Sequence, residues 1–478
     1  MASLLAALAA LDRGSGSAAF SLLLTGVVLA FAVDPRATLT LRNFFVVYTT
    51  ALFAVGVPLF GLSPVLYRDM VLYIVAFLIG YALSKLTLRA PAADPEPARR
   101  LGRAWQVPVR RLQVALVVLI AFQVLLLLSN VSRYGVGAFY GGQSLVDQLT
   151  SYGKANVLGG LLQVVHFLLK YGTLAVGVVY VQVCFAAGVK VRYRYLVVPL
   201  ILLPVLSLAR SDAMHGVAIL LVIGALERRL SAAGGRRRET AGSGPALAVR
   251  TRAPVPRVAL GIVAMLALVA SVMIGGLRQS RLTQDPSDAP LLVRGLPLVQ
   301  NEFSPIQAYS EIKENEERLG RTGGSTVVWP LLLKVVPRGL FPDKPINSGA
   351  YFMRVVRPDE FAQGYALPPT LFGDAFVNFG MVGSVLACLV VGLVAARLDV
   401  AYTEGRLSAL PWFLIAFANF YALLRSPLSE SLAGILLTTV VWLLLRRRLR
   451  GSLSAGSEDV SETGRPATPP VSAVPRGL

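Results

Sequence analysis

The sequence predicts an all-α fold, a polytopic integral membrane protein of about eleven transmembrane helices with one large extracytoplasmic loop. Three observations carry this expectation. Of 478 residues, 55% are hydrophobic and only 15% charged, too apolar for a water-soluble globule. The apolar residues gather into runs near the roughly 20 positions that a helix needs to cross a bilayer. The net charge of +20 is concentrated between those runs. Arg89, Arg99, Arg100, Arg103, Arg110 and Arg111 form one cluster; Arg228, Arg229, Arg236, Arg237, Arg238, Arg250, Arg252 and Arg257 a second; Arg446, Arg447, Arg448 and Arg450 a third. This is the pattern of cytoplasmic loops, and it argues against nucleic acid as the partner of the positive charge. The two cysteines, Cys184 and Cys388, lie far apart in apolar runs, so neither a disulfide framework nor a cysteine metal site is indicated.

In chain order the predicted spans are Ala18–Val33, Phe44–Leu62, Met70–Leu88, Leu112–Ser129, Gly159–Ala187, Tyr195–Ala209, Ala213–Glu227, Val258–Gly276, Ala375–Ala396, Ser408–Leu424 and Ser429–Leu445. Two are short. The first has a second reading as a signal peptide, with Ala30-Phe31-Ala32 as a cleavage site behind Arg13. With the arginine clusters cytoplasmic, the N-terminus is outside and the C-terminus inside. The chain then divides into residues 1–276 (eight spans), an extracytoplasmic loop at 277–370, three spans within 371–445, and a cytoplasmic tail at 446–478. Gly234–Pro256 reads as a flexible linker, and Ser452–Leu478, rich in Ser, Pro, Thr and Gly, as disordered.

The large loop carries eleven Lys or Arg and ten Asp or Glu between Arg278 and Glu360. Ser304-Pro305-Ile306-Gln307 has the pattern of a capping box with Pro at the first helical position, and Gly320 suits a C-terminal cap. A short helix over Pro305–Leu319 is predicted, with a narrow apolar edge of Ile306, Tyr309, Ile312 and Leu319. Val327–Leu333 is too short to span and carries Trp329, so it is expected along the membrane interface. A second outside segment, Asn130–Asn156, has Gly135, Gly137, Gly141 and Gly142 beside Tyr134, Phe139 and Tyr140. It is either a tight surface turn or an aromatic surface for sugar rings. Gly135-Val136-Gly137 has no preceding strand and no third glycine, so it is not a dinucleotide fingerprint. Asn130-Val131-Ser132 matches a glycosylation acceptor but abuts a span.

Ionisable residues within or beside apolar spans are costly and therefore candidates for function. Arg210 and Asp212 interrupt an apolar run, Arg278 and Arg281 follow the eighth span, Arg338 and Lys344 sit among Pro337, Pro342 and Pro345, Asp374 opens the ninth span, and Arg425 and Glu430 flank the last outside turn. All fall on one predicted side of the membrane, which suggests a cationic pocket at the outer surface. A guanidinium pairs its planar donors with phosphate oxygens; taken singly, each could instead be a snorkelling anchor. His166, in the fifth span near Lys170, and His215 lack further His or Cys partners. Each reads as an interior histidine rather than a metal ligand.

Pro368-Pro369-Thr370-Leu371-Phe372-Gly373-Asp374-Ala375-Phe376-Val377-Asn378-Phe379-Gly380-Met381-Val382-Gly383 resembles the segment after the large periplasmic loop of bacterial O-antigen polymerases of the Wzy type. In that family an acidic residue, an aromatic and Asn-Phe-Gly with a second glycine open a transmembrane helix. The Pro337–Pro345 stretch and the Ala209-Arg210-Ser211 break are similar to it too. The motif likeness covers about 60 residues; the likeness in architecture covers nearly the whole chain.

The resemblance implies a GT-C-like, inverting glycosyltransferase of the bacterial cytoplasmic membrane. It would polymerise repeat units carried on undecaprenyl pyrophosphate into O-antigen, capsule or exopolysaccharide, with a chain-length regulator protein as a candidate partner beside the lipid-linked substrate and membrane lipids. No cofactor is expected, because arginines can stabilise a departing pyrophosphate. On this view Arg210, Arg278, Arg281 and Arg338 take the pyrophosphate, with Lys344 and Arg425 as second choices. Asp374 is either a base or acceptor-positioning group, or a helix N-terminal cap. A related ligase would carry a histidine in the large loop, and this chain has none between Leu277 and Thr370. A flippase would be expected to bury ionisable groups at mid-membrane within repeated halves.

Overall fold

The computed structural model describes residues 40–87, 106–134, 157–186, 189–206, 216–217, 219–227, 291–336, 340–341, 343–362, 367–404 and 409–462. Within these residues every regular element is a helix, and six helices are long and apolar enough to cross a membrane. The predicted spans Ala18–Val33 and Val258–Gly276, the linker Gly234–Pro256 and His215 lie outside the described residues.

The helices are α1 (Leu41–Leu59), α2 (Leu66–Thr87), α3 (Gln106–Tyr134), α4 (Val157–Ala186), α5 (Arg194–Val197), a π-turn over Val198–Leu202, α6 (Leu203–Leu206), α7 (Leu291–Glu314), α8 (Glu316–Leu319), α9 (Ser325–Leu332), α10 (Ser348–Val356), α11 (Pro358–Ala362), α12 (Thr370–Thr403), α13 (Leu410–Arg425) and α14 (Leu428–Glu462). The long α1–α4, α12 and α14 coincide with predicted spans, and α13 is a shorter apolar helix.

Among the described residues the most extensive contact is between α2 and α12. Glycine makes it close: a Cβ on Gly80 would lie 2.1 Å from the Leu389 carbonyl oxygen, and one on Gly392 would lie 2.1 Å from that of Phe77. Lipid chains are as apolar as leucine, so van der Waals contact at small residues drives such pairs. Around them Phe45 stacks on Phe77 at 4.0 Å and Tyr73 on Phe372 at 4.7 Å. The opposite faces stay exposed, with Val382, Leu386, Val390 and Val394 forming a lipid-ready stripe along α12.

Contacts between helix ends sort them onto two surfaces. Asp399, near the end of α12, accepts hydrogen bonds from the Leu41 and Arg42 amides at 2.8 and 3.1 Å, so α1 starts where α12 finishes. Trp442 of α14 donates to Gln182 near the end of α4 at 3.3 Å, and Gln113 of α3 donates to Tyr180. Arg42, Lys85, Arg110, Arg111, Arg192, Arg194 and Arg446–Arg448 therefore share one basic end. The segment from α7 to α11 occupies the other.

Four expectations need correction. Ser304 and Pro305 do not begin a helix: α7 starts at Leu291 and runs through them, because burial of Ile306, Tyr309 and Ile312 outweighs a local capping signal. Ile306, Tyr309 and Ile312 of the predicted apolar edge are fully buried, and the Ile306 side chain presses on Gly56 of α1. Asn130-Val131-Ser132 belongs to α3 rather than to a loop, and α14 continues to Glu462, past the expected start of a disordered tail at Ser452. His166 is exposed on α4 rather than interior. The cap at Gly320 is as predicted, with φ +61°. Cys184 and Cys388 are both free thiols and buried.

Candidate functional site

The segment Thr370–Phe379 is buried except for its last ring, and α12 breaks at Gly380. There φ is +72° and ψ −165°, a region open almost only to glycine. The break frees carbonyls that a straight helix would use, and the start of the α8–α9 connection takes them. Arg321 donates to the Phe376 oxygen at 2.7 Å, Thr322 N–H to Val377 at 3.2 Å and Gly323 N–H to Asn378 at 3.1 Å. The Arg321 guanidinium also lies 4.8 Å over the Phe376 ring. Irregular backbone beside a membrane is tolerated where protein satisfies its polar groups, and here it does.

Asn378 is the hub. Its Oδ1 accepts from Thr322 Oγ1 at 2.7 Å, Gly324 N at 2.9 Å and Thr326 Oγ1 at 3.0 Å. Its Nδ2 donates to the Asp374 carbonyl at 2.8 Å and to Asp374 Oδ1 at 2.9 Å. Asp374 Oδ2 in turn accepts from Leu428 N at 2.6 Å. Asp374 is thus a cap, though of α14 rather than of its own helix. It is fully buried, and both of its oxygens are engaged.

Above this hub lies a cavity of about 500 Å³, lined by Thr322, Ser325, Thr326, Trp329, Asp343, Lys344, Pro345, Ile346, Tyr351 and Arg354. α9 presents two faces to it and to its surroundings. Thr326 and Trp329 turn to the cavity, whereas Val328, Leu332 and, just beyond the helix, Val335 form an exposed apolar edge, as suits the interfacial placement the sequence predicts.

Of the residues nominated from sequence, Arg210, Arg278, Arg281 and Arg338 lie outside the described residues. Lys344, Arg425 and Asp374 are brought to one end of the bundle. Lys344 lines the cavity and donates its Nζ to the carbonyls of Lys334 at 3.3 Å and Val336 at 2.9 Å, holding the turn after α9. Arg425 ends α13 against Tyr421, three positions before the Leu428 amide that Asp374 caps. Glu430 accepts from Lys334 at 3.4 Å and from Asn347 at 3.1 Å, which ties the α13–α14 turn to the loop layer.

Two further networks organise that layer, and the first ties it to the bundle. Asp69 of α2 pairs with Lys313 and accepts from Tyr309 at 2.9 Å, and Tyr309 shares a 2.5 Å hydrogen bond with Tyr73. Burial first, then the neighbouring Tyr73 and Asp69, push the Tyr309 phenol far above its usual range. Arg357 grips Glu311 and Glu360, with Nε to Glu311 at 2.8 Å, and the Glu311 hydrogen bond raises its already high pKa.

Sequence reasoning missed Thr322, Thr326, Tyr351 and Arg354. Isolated hydroxyl residues on turns and short helices carry no periodic signal; Trp329, singled out as interfacial, and Lys344, nominated among its prolines, pointed toward this place. No protein-family model matches the chain, and no solved structure matches it.

Proposed function

We propose that this protein is a glycosyltransferase of a bacterial cytoplasmic membrane that polymerises repeat units carried on undecaprenyl pyrophosphate. The observation that carries the reading is the cavity within the α7–α11 layer, where hydroxyls, an indole, one carboxylate and two cations meet at one end of a membrane bundle. It stands directly on the Asn378-Phe379-Gly380 break, the motif whose sequence resembles the polymerase family. The opposite end holds the basic helix ends, so by the positive-inside tendency the cavity faces away from the cytoplasm.

In this reading an acceptor sugar hydroxyl attacks the anomeric carbon of the donor. The new glycosidic bond forms as the bond to pyrophosphate breaks, with inversion, and the hydroxyl proton is lost. Positive charge grows on the sugar ring and negative charge on the leaving pyrophosphate, which arginines stabilise. Arg210, Arg278, Arg281 and Arg338 are assigned that role, with Arg425 at the same end. Asp374, buried and doubly bonded, is assigned to positioning.

The test is reconstitution in lipid with undecaprenyl-pyrophosphate oligosaccharide, reading glycan length on a gel. A ladder from the wild type that collapses in Arg210→Ala and Arg338→Ala is expected. Absence of a ladder from well-folded wild type refutes polymerisation, and a ladder unchanged in both variants removes the arginine assignment.

A further inference from the structure

The protons of three of the four hydroxyls that line the cavity can be located, those of Thr322, Thr326 and Tyr351. Asn378 Nδ2 faces two oxygens of Asp374, while its Oδ1 faces the Gly324 N–H. These partners fix the amide orientation, because swapping its ends would set donor against donor and acceptor against acceptor. Thr322 and Thr326 therefore donate to Oδ1, or one donates to the other across 3.4 Å. Tyr351 donates to the Leu319 carbonyl at 2.6 Å, an oxygen that can only accept. All three protons point into the protein. What these three hydroxyls offer to the cavity is lone pairs.

We propose that this cavity is a subsite for a neutral, hydroxyl-rich sugar ring, read by Thr322, Thr326 and Tyr351 as hydrogen-bond acceptors, with Asn378 as the residue that sets their polarity. Sugar hydroxyls donate to such lone pairs, whereas phosphate oxygens, which only accept, are repelled by them. Half-exposed Trp329 supplies an indole for the apolar face of the ring. Lys344 directs two of its three donors to carbonyls of the wall, and the lining holds the carboxylate of Asp343 beside the cations Lys344 and Arg354. The identity of the sugar as part of a lipid-linked glycan rests on the proposed function; the preference for a neutral polyol over an anion does not.

The full-length protein in nanodiscs is tested by saturation-transfer NMR with a panel of methyl glycosides and, separately, inorganic pyrophosphate. At least one glycoside is expected to bind and to resist displacement by pyrophosphate. Thr326→Val and Tyr351→Phe should each weaken it about three- to tenfold, Trp329→Ala should abolish binding, and Thr326→Ser and Trp329→Phe should retain it. Thr326→Val leaves Asn378 Oδ1 its Gly324 partner, so folding is preserved, and unfolding midpoints check this. The proposal is overturned if no glycoside binds, if pyrophosphate competes and Arg354→Ala removes that competition, or if Thr326→Val and Tyr351→Phe bind like wild type. Glycoside binding without a glycan ladder would refute polymerisation and keep the subsite. A wild-type ladder without glycoside binding would do the reverse.

Discussion

Replacing Gly380 by alanine tests how the broken helix and the α8–α9 connection hold each other. Two costs combine. A non-glycine residue at φ +72° and ψ −165° pays about 1–3 kcal/mol in backbone strain. The new Cβ would stand 2.8 Å from Arg321 Nη2 and 2.9 Å from Cζ, so the guanidinium must leave the Phe376 carbonyl. A charge-assisted hydrogen bond contributes about 1.5–3 kcal/mol, discounted to roughly 1 kcal/mol because the Arg321 side chain is 41% exposed. Gly380→Ala should therefore lose about 2–4 kcal/mol, read by titrating SDS into mixed micelles and following unfolding. In an Arg321→Ala background the steric part is already gone, so the same substitution should cost only the backbone share, about 1–3 kcal/mol. A single variant within about 0.5 kcal/mol of wild type would refute the strain argument. An undiminished penalty in the Arg321→Ala background would refute the coupling.

Gly80→Ala should cost about 1–3 kcal/mol in the same titration, because its Cβ would meet Leu389 backbone rather than a side chain that can turn away; a neutral result would mean that α2 and α12 pack less tightly than described. Lys313→Met should cost about 3–5 kcal/mol by stranding the buried Asp69 carboxylate, and adding Asp69→Asn should recover part of it; a double variant worse than the single would exclude charge stranding as the cause. The folded chain keeps the Tyr309 proton that the unfolded chain releases near pH 10. Its contribution is thus complete below about pH 10 and erodes as pH rises further, and Tyr309→Phe should flatten the alkaline part of a stability-against-pH curve; an unchanged slope would contradict the raised pKa.

The long helices were legible because about 20 consecutive apolar residues have few alternatives, and α1, α2, α3, α4, α12, α13 and α14 fall where such runs predict them. Local chemistry served less well where distant contacts decide. Ser304-Pro305 has every mark of a helix start, yet Tyr309 meets Tyr73 and Asp69 across more than 200 positions, and the helix runs through. Asn-Phe-Gly could be seen as a motif, but not as a break whose freed carbonyls bind Arg321, Thr322 and Gly323. The polarity of Thr322, Thr326 and Tyr351 was beyond reach from sequence, since it follows from where each proton is accepted.

Charges in apolar spans are read first as functional, and the two buried carboxylates of α12 show how such a charge can act without touching a ligand. A helix N-terminus in an apolar surrounding has orphan amides that no water satisfies. Asp399 takes those of Leu41 and Arg42 at one end of the bundle, and Asp374 takes that of Leu428 at the other. Asp374 goes one step further. By accepting from Asn378 Nδ2 it turns Oδ1 toward Thr322 and Thr326, and so the cap of the last helix, through one carboxylate and one amide, decides which way the hydroxyl protons beneath the cavity point. The acid nominated for proton transfer thereby governs the cavity by orientation, two hydrogen bonds removed from anything bound there.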